Sequence, residues 1–313
     1  NMKASFFAKI LLFGEYGIIK ESMGLSIPYR SFSGVLHVTT GELNASEHAS
    51  NVSLKAFADY LRGLQLSGKA LALLDMDRLE KDIHEGLIFN SSIPQGYGVG
   101  SSGALVAAIY ATYSDKPLSL ESMPGAESLA ALKRQLAQME TFFHGKSSGI
   151  DPVICYLQLP LLISSDAELG AVGMPDEDLQ GQGAIFLLNS GGPGETQPMV
   201  SIFMNKLKEA GFRRLMTQQF KSYNDACIQA FLKGDWDPLF NNLKSLSHLV
   251  LDNFRPMIPD HLVPAWQKGI DSNAYYLKLC GSGGGGYVLG FTKDYDRAKD
   301  LLADHDPELV LRF

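Results

Sequence analysis

The feature that most restricts the fold of this chain is a glycine-rich segment that leads directly into a helical pattern. Four glycines, Gly96, Gly98, Gly100 and Gly103, stand just before the apolar stretch at 104–113. Glycine lets a backbone come close to a phosphate, and the first N–H groups and the dipole of a helix favour negative charge. The segment therefore fits an anion site, and it fits equally a glycine-rich turn in which Ser102 caps the helix.

Three of these glycines also match the GxGxxG pattern of dinucleotide-binding folds, at Gly98, Gly100 and Gly103. That fold needs a second strand that ends in an acidic residue roughly 20 positions further on. Asp115 instead lies in a turn-forming stretch that ends at Pro117. The context therefore argues against a dinucleotide site.

A second glycine-rich segment, Gly281-Ser282-Gly283-Gly284-Gly285-Gly286, lies between two strand-like runs. A run of glycines loses much conformational entropy when it becomes ordered, so another interaction must offset that cost. Close approach to a ligand or to the first glycine segment is the favoured interpretation. An idle flexible hairpin is the alternative.

The third segment, at 144–152, contains two misleading motifs. Gly145, Lys146 and Ser147 resemble the end of a P-loop, but Glu140 occupies the position where that motif needs glycine. Gly145, Ser147 and Gly149 spell the GxSxG of hydrolases, which requires a strand before the serine, whereas a helical pattern precedes it here. Asp151 before Pro152 could also be the cap of a helix.

Apolar periodicity divides the chain into strands and helices. Strand-like runs cover 6–13, 35–40, 184–189, 275–279 and 287–291, and helical patterns cover 54–66, 104–113, 126–143, 220–232 and 239–251. A stretch rich in proline, glycine and acidic residues at 175–183 predicts a domain boundary. A mixed α+β protein of two domains is the simplest interpretation.

Composition limits the class of protein. The chain has 313 residues, of which 45% are apolar, and its formal net charge of -7 without a basic stripe argues against a nucleic-acid partner. No membrane helix is expected, and residues 1–9 lack the apolar core of a secretory leader. Cys155, Cys227 and Cys280 are too widely spaced for a zinc site or a disulfide framework, so a reducing cytoplasm is expected.

Two charged residues interrupt apolar patterns. Glu140 borders the apolar stripe of the helix at 126–143 near its C-terminal end, where an inward carboxylate needs a compensating cation such as magnesium. Lys9 is the single charge in the run at 6–13, and it could hold a carboxylate in its ionised form or neutralise phosphate. The alternatives are an exposed position for Glu140 and a solvated one for Lys9.

Four motifs, in this order, resemble those of the GHMP small-molecule kinases. They are the lysine-bearing run that ends in Phe13-Gly14-Glu15, the loop Gly98-Val99-Gly100-Ser101-Ser102, the segment Ser148-Gly149-Ile150-Asp151 and the glycine run at 281–286. Within that superfamily the stretches at 8–15 and 144–151 are similar to those of mevalonate kinases. The likeness covers nearly the whole chain.

The resemblance implies an α+β fold of two domains with an active site between them. The domain at 1–180 would resemble ribosomal protein S5 domain 2, and the domain at 181–313 would be ferredoxin-like. The implied activity is the phosphorylation of a small-molecule alcohol by ATP with Mg²⁺, in a protein without nucleic-acid or membrane partners. Mevalonate, converted to 5-phosphomevalonate for isoprenoid biosynthesis, is the first candidate substrate, and a homodimer is left open.

The resemblance also implies roles for single residues. Ser102 and Glu140 would bind magnesium, and Asp151 would address the substrate hydroxyl with Lys9 beside it. The residues expected near the alcohol are Glu15, Tyr16, Ser148 and Asp151. The residues expected to hold the nucleotide are Gly96, Gly98, Gly100, Ser101, Ser102, Gly281, Ser282 and Gly283, with Thr196 assisting.

Three places depart from the usual mevalonate kinase pattern. Tyr16 stands where histidine is common, Lys146 and Ser147 replace a neutral pair, and Pro152 replaces an asparagine. Lys146 could favour an acceptor that is already phosphorylated, so phosphomevalonate and sugars are alternative substrates. A catalytically inactive ligand sensor on the same fold and a hydrolase built on Ser147 are alternatives from other classes.

Overall fold

The computed structural model describes residues 4–313. Residues 1–3, part of the stretch predicted to lack a secretory leader, lie outside the described part of the chain. The strands of the described part are Phe6–Phe13 (β1), Gly24–Val38 (β2), Leu87–Ser91 (β3), Leu161–Ile163 (β4), Leu169–Ala171 (β5), Ala184–Asn189 (β6), Tyr276–Leu279 (β7), Tyr287–Thr292 (β8) and Glu308–Arg312 (β9).

The α-helices of the same residues are Ala45–Leu66 (α1), Met76–His84 (α2), Ser101–Tyr113 (α3), Ala126–His144 (α4), Ile150–Leu157 (α5), Thr196–Lys206 (α6), Ala210–Arg214 (α7), Lys221–Lys233 (α8), Trp236–Asn253 (α9), Val263–Ser272 (α10) and Tyr295–Leu301 (α11). Short 3-10 helices lie at Gly17–Lys20, Arg255–Met257, Asp260–Leu262 and Ala303–His305, and a π-helical turn lies at Leu215–Phe220. The predicted α+β class is confirmed.

The strand predicted at 35–40 is the end of a much longer strand. It is part of β2, which begins at Gly24 and ends at Val38. Gly24 to Ser26 pair with β4, whereas Gly34 to Val38 pair with β3. Pro28 lies between these two paired stretches, where a residue without a backbone N–H is tolerated.

The chain forms two compact units, each built from separate stretches of sequence. Unit 1 contains residues 4–9, Pro28–Pro94 and Gly100–Leu159, and unit 2 contains Ile10–Ile27, Gln95–Val99 and Pro160–Phe313. Strands β1 and β2 therefore contribute residues to both units, within a sheet of order β1-β2-β4-β5 in which β3 pairs with β2. The predicted domain boundary between residues 180 and 181 stays a prediction.

Unit 1 is built around helix α3. This helix packs against α5 and α4, and the stretch from Gly103 to Tyr110 is buried at every position except Leu105. A helix that is apolar on all sides must be surrounded by other elements, and its alanines allow those elements to come close. The apolar stripe predicted on α4 is buried as expected at Leu129, Leu132, Leu136 and Met139.

Unit 2 contains a four-stranded antiparallel sheet of order β7-β8-β6-β9. The five residues from Ala184 to Leu188 in β6 are all buried, as expected when both faces of a strand are covered. Helices α8 and α9 pack against each other, and α9 and α10 pack against β7. The predicted strands and helices of this part of the chain are confirmed to within a few residues.

Two expectations from composition can be compared with the structure. Cys155, Cys227 and Cys280 are buried and free, so no disulfide framework joins them. Among the helices of residues 4–313, none combines the length and the apolar character that a bilayer-spanning helix needs.

Candidate active site

The first turn of α3 is held close to β1 by Gly100. This residue is the N-cap of the helix and has φ 84°, a left-handed conformation that side-chain-bearing residues rarely adopt. A Cβ atom at this position would lie 2.9 Å from Cγ of Lys9 and 3.3 Å from Sγ of Cys155. Gly100 therefore brings the free N–H groups of the helix start next to Lys9.

The alternative in which Ser102 caps the helix is wrong, because Gly100 is the N-cap. Ser101 and Ser102 are instead the first two residues of α3, and Ser101 is half-buried. The backbone N–H groups of this first turn lack partners further up the helix, and the dipole gives them a positive potential. This helix start has the chemistry of an anion site.

Lys9 and Asp151 form an ion pair beside this helix start. Nζ of Lys9 lies 3.1 Å from Oδ1 of Asp151, and the side chains are 4% and 42% exposed. The alternative of a solvated Lys9 is therefore wrong. A buried ammonium group requires a close counter-charge, and Asp151 supplies it while remaining accessible.

Asp151 is placed by a second glycine-capped helix. The N-cap of α5 is Gly149, with φ 81°, so the predicted cap at Asp151 is wrong and Asp151 is the second residue of the helix. A Cβ atom on Gly149 would lie 2.2 Å from the carbonyl oxygen of Lys133, and one on Gly103 would lie 3.1 Å from the carbonyl carbon of Asp151. The starts of α3 and α5 therefore pack directly against each other, with Asp151 at the contact.

Glu140 points inward from α4 and contacts Ser102. Its Oε2 accepts a hydrogen bond of 3.0 Å from Ser102, and its Oε1 accepts one of 2.6 Å from Ser147. The side chain is buried, so the alternative of an exposed edge position is wrong. Burial, reinforced by the negative charge of Asp151, raises the pKa of Glu140 to about 7, while the two serines and Lys9 act in the opposite direction.

His144 is a member of this cluster that sequence reasoning missed. Its Nε2 lies 2.8 Å from Oγ of Ser102. When the Ser102 hydroxyl donates to Glu140, the Nε2–H tautomer of the imidazole can donate to the serine oxygen. Burial lowers the pKa of His144, which favours the neutral ring. The signal in the sequence was its spacing of four residues from Glu140, which places both on one face of α4.

Ser102 and Glu140 fit the predicted magnesium ion by donor type and spacing. Mg²⁺ prefers oxygen ligands at 2.0–2.1 Å in octahedral geometry, so two neighbouring ligands are roughly 3 Å apart. Ser102 Oγ and Glu140 Oε2 lie 3.0 Å apart, which is the length of the hydrogen bond that joins them and is also near enough for both oxygens to contact one ion. Residues 4–313 contain no group of three or more His, Cys, Asp or Glu side chains arranged around a metal position.

Unit 2 brings the remaining glycine segments together. A Cβ atom on Gly286 would lie 2.6 Å from Cα of Tyr97, and one on Gly285 would lie 2.6 Å from the carbonyl carbon of Pro193. Gly194 N–H donates to the carbonyl of Gly96 over 2.8 Å. These contacts explain the four-glycine run, because a side chain at Gly285 or Gly286 would collide with the neighbouring backbone. The predicted close approach to the first glycine segment is therefore confirmed, and the alternative of an idle hairpin is wrong.

Glu15 and Tyr16 also lie in unit 2, directly after β1. Glu15 Oε2 forms a buried ion pair of 2.7 Å with Nζ of Lys278. Burial raises the pKa of Glu15, and the charge of Lys278 opposes that rise. The hydroxyl of Tyr16 donates to the carbonyl of Ser282. These side-chain polar contacts of Glu15 and Tyr16 are thus with the strand and the loop around residues 278–282.

Thr196 and Ser148 are the last two predicted site residues. Thr196 is the first residue of α6, and its Oγ1 lies 3.5 Å from Oγ of Ser282. Ser148 is exposed, and its Oγ accepts a hydrogen bond of 3.3 Å from the N–H of Ile150. The predicted site residues therefore form two groups. Lys9, Gly100, Ser101, Ser102, Glu140, Ser148 and Asp151 belong to unit 1, and Glu15, Tyr16, Gly96, Gly98, Thr196, Gly281, Ser282 and Gly283 belong to unit 2.

Two family domains match separate stretches of the chain. The GHMP kinases N terminal domain matches residues 66–158, and the GHMP kinases C terminal domain matches residues 227–306. Together the two domains cover more than half of the chain. No curated protein matches the chain significantly in sequence.

Solved structures with a similar fold include three kinases bound to different small molecules. The mevalonate kinase of L. major in complex with R-mevalonate is 16% identical over 97% of this chain and 91% of that chain, with a TM-score of 0.65. The Streptococcus pneumoniae phosphomevalonate kinase in complex with phosphomevalonate and AMPPNP is 13% identical over 99% and 98%, with a TM-score of 0.59. The Lactococcus lactis galactokinase complexed with galactose is 10% identical over 99% and 93%, with a TM-score of 0.60. At these identities the likeness concerns the fold alone.

Proposed function

Because this chain belongs to the GHMP kinases, a family of ATP-dependent small-molecule kinases, we propose that it phosphorylates a small alcohol, with mevalonate as the first candidate. The predicted family resemblance is confirmed by the two domain matches. The observation that supports the reaction most directly is the Lys9–Asp151 ion pair at the first turn of α3. It combines a polar group for the hydroxyl, a buried cation and an anion-binding helix start.

In the proposed reaction the N–H groups at the start of α3 bind phosphate oxygens of ATP. Phosphoryl transfer requires alignment of the hydroxyl with the γ-phosphate and neutralisation of spreading negative charge, rather than covalent help from the protein. Ser101 and Ser102 add hydroxyl groups at the same place. Because Gly100 has no side chain, the backbone N–H groups at the start of α3 can lie beside Lys9.

Asp151 orients the alcohol and accepts its proton as the new bond forms between the alcohol oxygen and the γ-phosphorus. The bond between the γ-phosphorus and the bridging oxygen breaks, and ADP leaves with that oxygen. Lys9 holds the Asp151 carboxylate in place through their ion pair, and its charge stabilises the transferring group. The side chain of Asp151 is more than one-third exposed, so a substrate can reach its carboxylate.

Ser102 and Glu140 are the residues proposed to hold magnesium. Magnesium bound there supplies positive charge that neutralises the phosphates of ATP. Ser147 and His144 then act as supporting residues, because they fix the second carboxylate oxygen of Glu140 and the hydroxyl of Ser102. The glycine segments of unit 2, with Thr196, are proposed to support the nucleotide.

The acceptor is proposed from local sequence resemblance and from one exposed lysine. The family includes kinases for mevalonate, phosphomevalonate and galactose, as the solved structures illustrate. Mevalonate is proposed because the stretches at 8–15 and 144–151 resemble those of mevalonate kinases. Lys146 is exposed on the loop after α4, and this observation favours phosphomevalonate as the second candidate, because an additional phosphate would attract a cation.

One screen tests the reaction and its acceptor together. ADP release is measured with mevalonate, phosphomevalonate and simple sugars at equal concentration, with the Asp151→Asn variant as the control for contaminating kinases. The expected result is ADP release that requires mevalonate and is lost in the variant. Release with a sugar or phosphomevalonate alone would reassign the acceptor, and no release with any of them would favour the ligand sensor.

A further inference from the structure

Tyr16 has a backbone conformation that few side-chain-bearing residues adopt. It follows Glu15 directly after β1, and its φ of 61° with ψ of -36° lies in sparsely populated territory. Such strain persists only where the surrounding structure enforces it, and it often accompanies a functional constraint. The conformation of Tyr16 therefore indicates a specific structural constraint at this position.

The ring of Tyr16 is fixed by aromatic neighbours. It is buried, and its centroid lies 4.6 Å from that of Phe203 and 5.6 Å from that of Phe254. Aromatic pairs at these separations stabilise each other beyond the area that they bury. The direction of the hydroxyl is thereby determined before any ligand binds.

That hydroxyl donates to the backbone carbonyl of Ser282, the second residue of the segment at 281–286. Gly283 and Gly284 follow it, both with φ of 80°, so the anchored carbonyl directly precedes the glycine run. The residue before Tyr16 acts on the same loop, because Glu15 pairs with Lys278 in the strand that leads into it. Two consecutive residues thus hold the loop from the end of β1.

We propose that Tyr16 is a positioning residue that orders the glycine loop at 281–286 for the nucleotide, rather than a group that contacts the acceptor alcohol. This inference rests on the proposed function, in which that loop supports ATP. A glycine-rich loop loses much entropy when a ligand orders it, and an anchor present in the free protein reduces that loss. Thr196, which lies 3.5 Å from the Ser282 hydroxyl, would face the same ordered loop.

The test removes only the hydroxyl. Tyr16→Phe keeps the ring contacts with Phe203 and Phe254, and Tyr223→Phe is the matched control, because Tyr223 is a half-buried tyrosine of the same unit outside the proposed site. We expect Tyr16→Phe to weaken ADP binding by about 2- to 10-fold, the range of one net hydrogen bond, while the KM of the acceptor stays within about 2-fold. Amide hydrogen exchange at 281–287 should be faster in Tyr16→Phe and unchanged in Tyr223→Phe.

A second variant separates positioning from simple packing. Para-aminophenylalanine at position 16 retains a ring and a donor, so it should restore both ADP affinity and slow exchange. An acceptor KM that rises while ADP affinity stays normal would overturn the proposal and place Tyr16 at the alcohol. Unchanged exchange at 281–287 in Tyr16→Phe would overturn it as well. Since ADP binding and exchange need no acceptor, they judge this proposal even if the acceptor screen fails.

Discussion

The environment of Glu140 predicts that replacing it makes the metal-free protein more stable while abolishing catalysis. The change is Glu140→Gln, which retains the shape of the side chain and its ability to bond with Ser102 and Ser147. A neutral amide carries no desolvation cost comparable to that of a buried carboxylate. Residues that bind a ligand commonly destabilise the ligand-free protein, and we expect Glu140 to do so.

The magnitude follows from the pKa of Glu140, raised by burial from its ordinary value of 4.5 to about 7. Between these values the folded protein holds a proton that the unfolded chain has released, so the free energy of unfolding falls as pH rises from about 4.5 to about 7 and is then constant. At about 1.4 kcal/mol per pKa unit, the full loss is roughly 3 kcal/mol. The variant should therefore exceed the wild type by roughly 1 kcal/mol at pH 5 and by up to about 3 kcal/mol at pH 8.

Urea denaturation followed by far-ultraviolet circular dichroism, in buffer with a chelator at pH 5, 6, 7 and 8, measures this difference. Trp236 and Trp266 both belong to unit 2 and Glu140 belongs to unit 1, so circular dichroism, which reports on the helices of both units, is the signal of choice. Glu127→Gln is the control, because Glu127 is an exposed carboxylate on the same helix. Its pH profile should follow that of the wild type.

A stability difference that is the same at all four pH values would refute the reasoning, because it would mean that Glu140 is not protonated in the folded protein near neutrality. A Glu140→Gln variant less stable than the wild type at pH 8 would refute it too, because the hydrogen bonds of the carboxylate would then outweigh its desolvation. Addition of magnesium and ADP should stabilise the wild type more than the variant.

Further outcomes follow from the same geometry. Asp151→Asn should lower kcat by at least about 100-fold with ADP affinity retained, and a near-normal rate in the coupled assay would exclude its role. Gly100→Ala should weaken ADP binding, and it should lower the melting temperature more than Gly68→Ala does. Both glycines have positive φ, but only a Cβ at Gly100 meets neighbouring atoms. Equal losses of melting temperature would exclude the steric contact at Gly100 as the cause. Lys278→Met should cost about 3–5 kcal/mol in urea denaturation by leaving a buried charge unpaired, and adding Glu15→Gln should recover most of it; no recovery would exclude the ion pair as the cause.

Elements with a clear apolar period were predictable, and elements without one were not. Helix α4 and strand β6 were predicted nearly to the residue because one face or the whole of each element is apolar. Helix α5 was anticipated only as a possible helix start at Asp151 and Pro152, since seven of its eight residues are buried and no polar face marks a helical period. Strands β4 and β5 have three residues each, which is too short for alternation to show.

The residues of the candidate site were predicted from motifs, but the way they pack was not predicted. Lys9, Ser102, Glu140 and Asp151 were grouped through the family resemblance, and the structure brings them together in unit 1. The cap positions were predicted wrongly because side-chain propensity favoured serine and aspartate, whereas close approach of the backbones required glycine. The pair of Glu15 with Lys278 joins residues 263 positions apart, and no local pattern reveals such a contact.

The interleaved composition of the two units has a consequence for how the protein is made. Gly24 to Ser26 of β2 pair with β4, whose residues leave the ribosome more than a hundred positions later. At ~5–20 residues per second, that part of β2 waits on the order of ten seconds for its partner. During this interval the unpaired backbone N–H and C=O groups of β2 can form hydrogen bonds with non-native strands, including those of other nascent chains. Expression yield should therefore depend on translation rate and chaperone supply more than it would for a protein whose domains are synthesised one after the other.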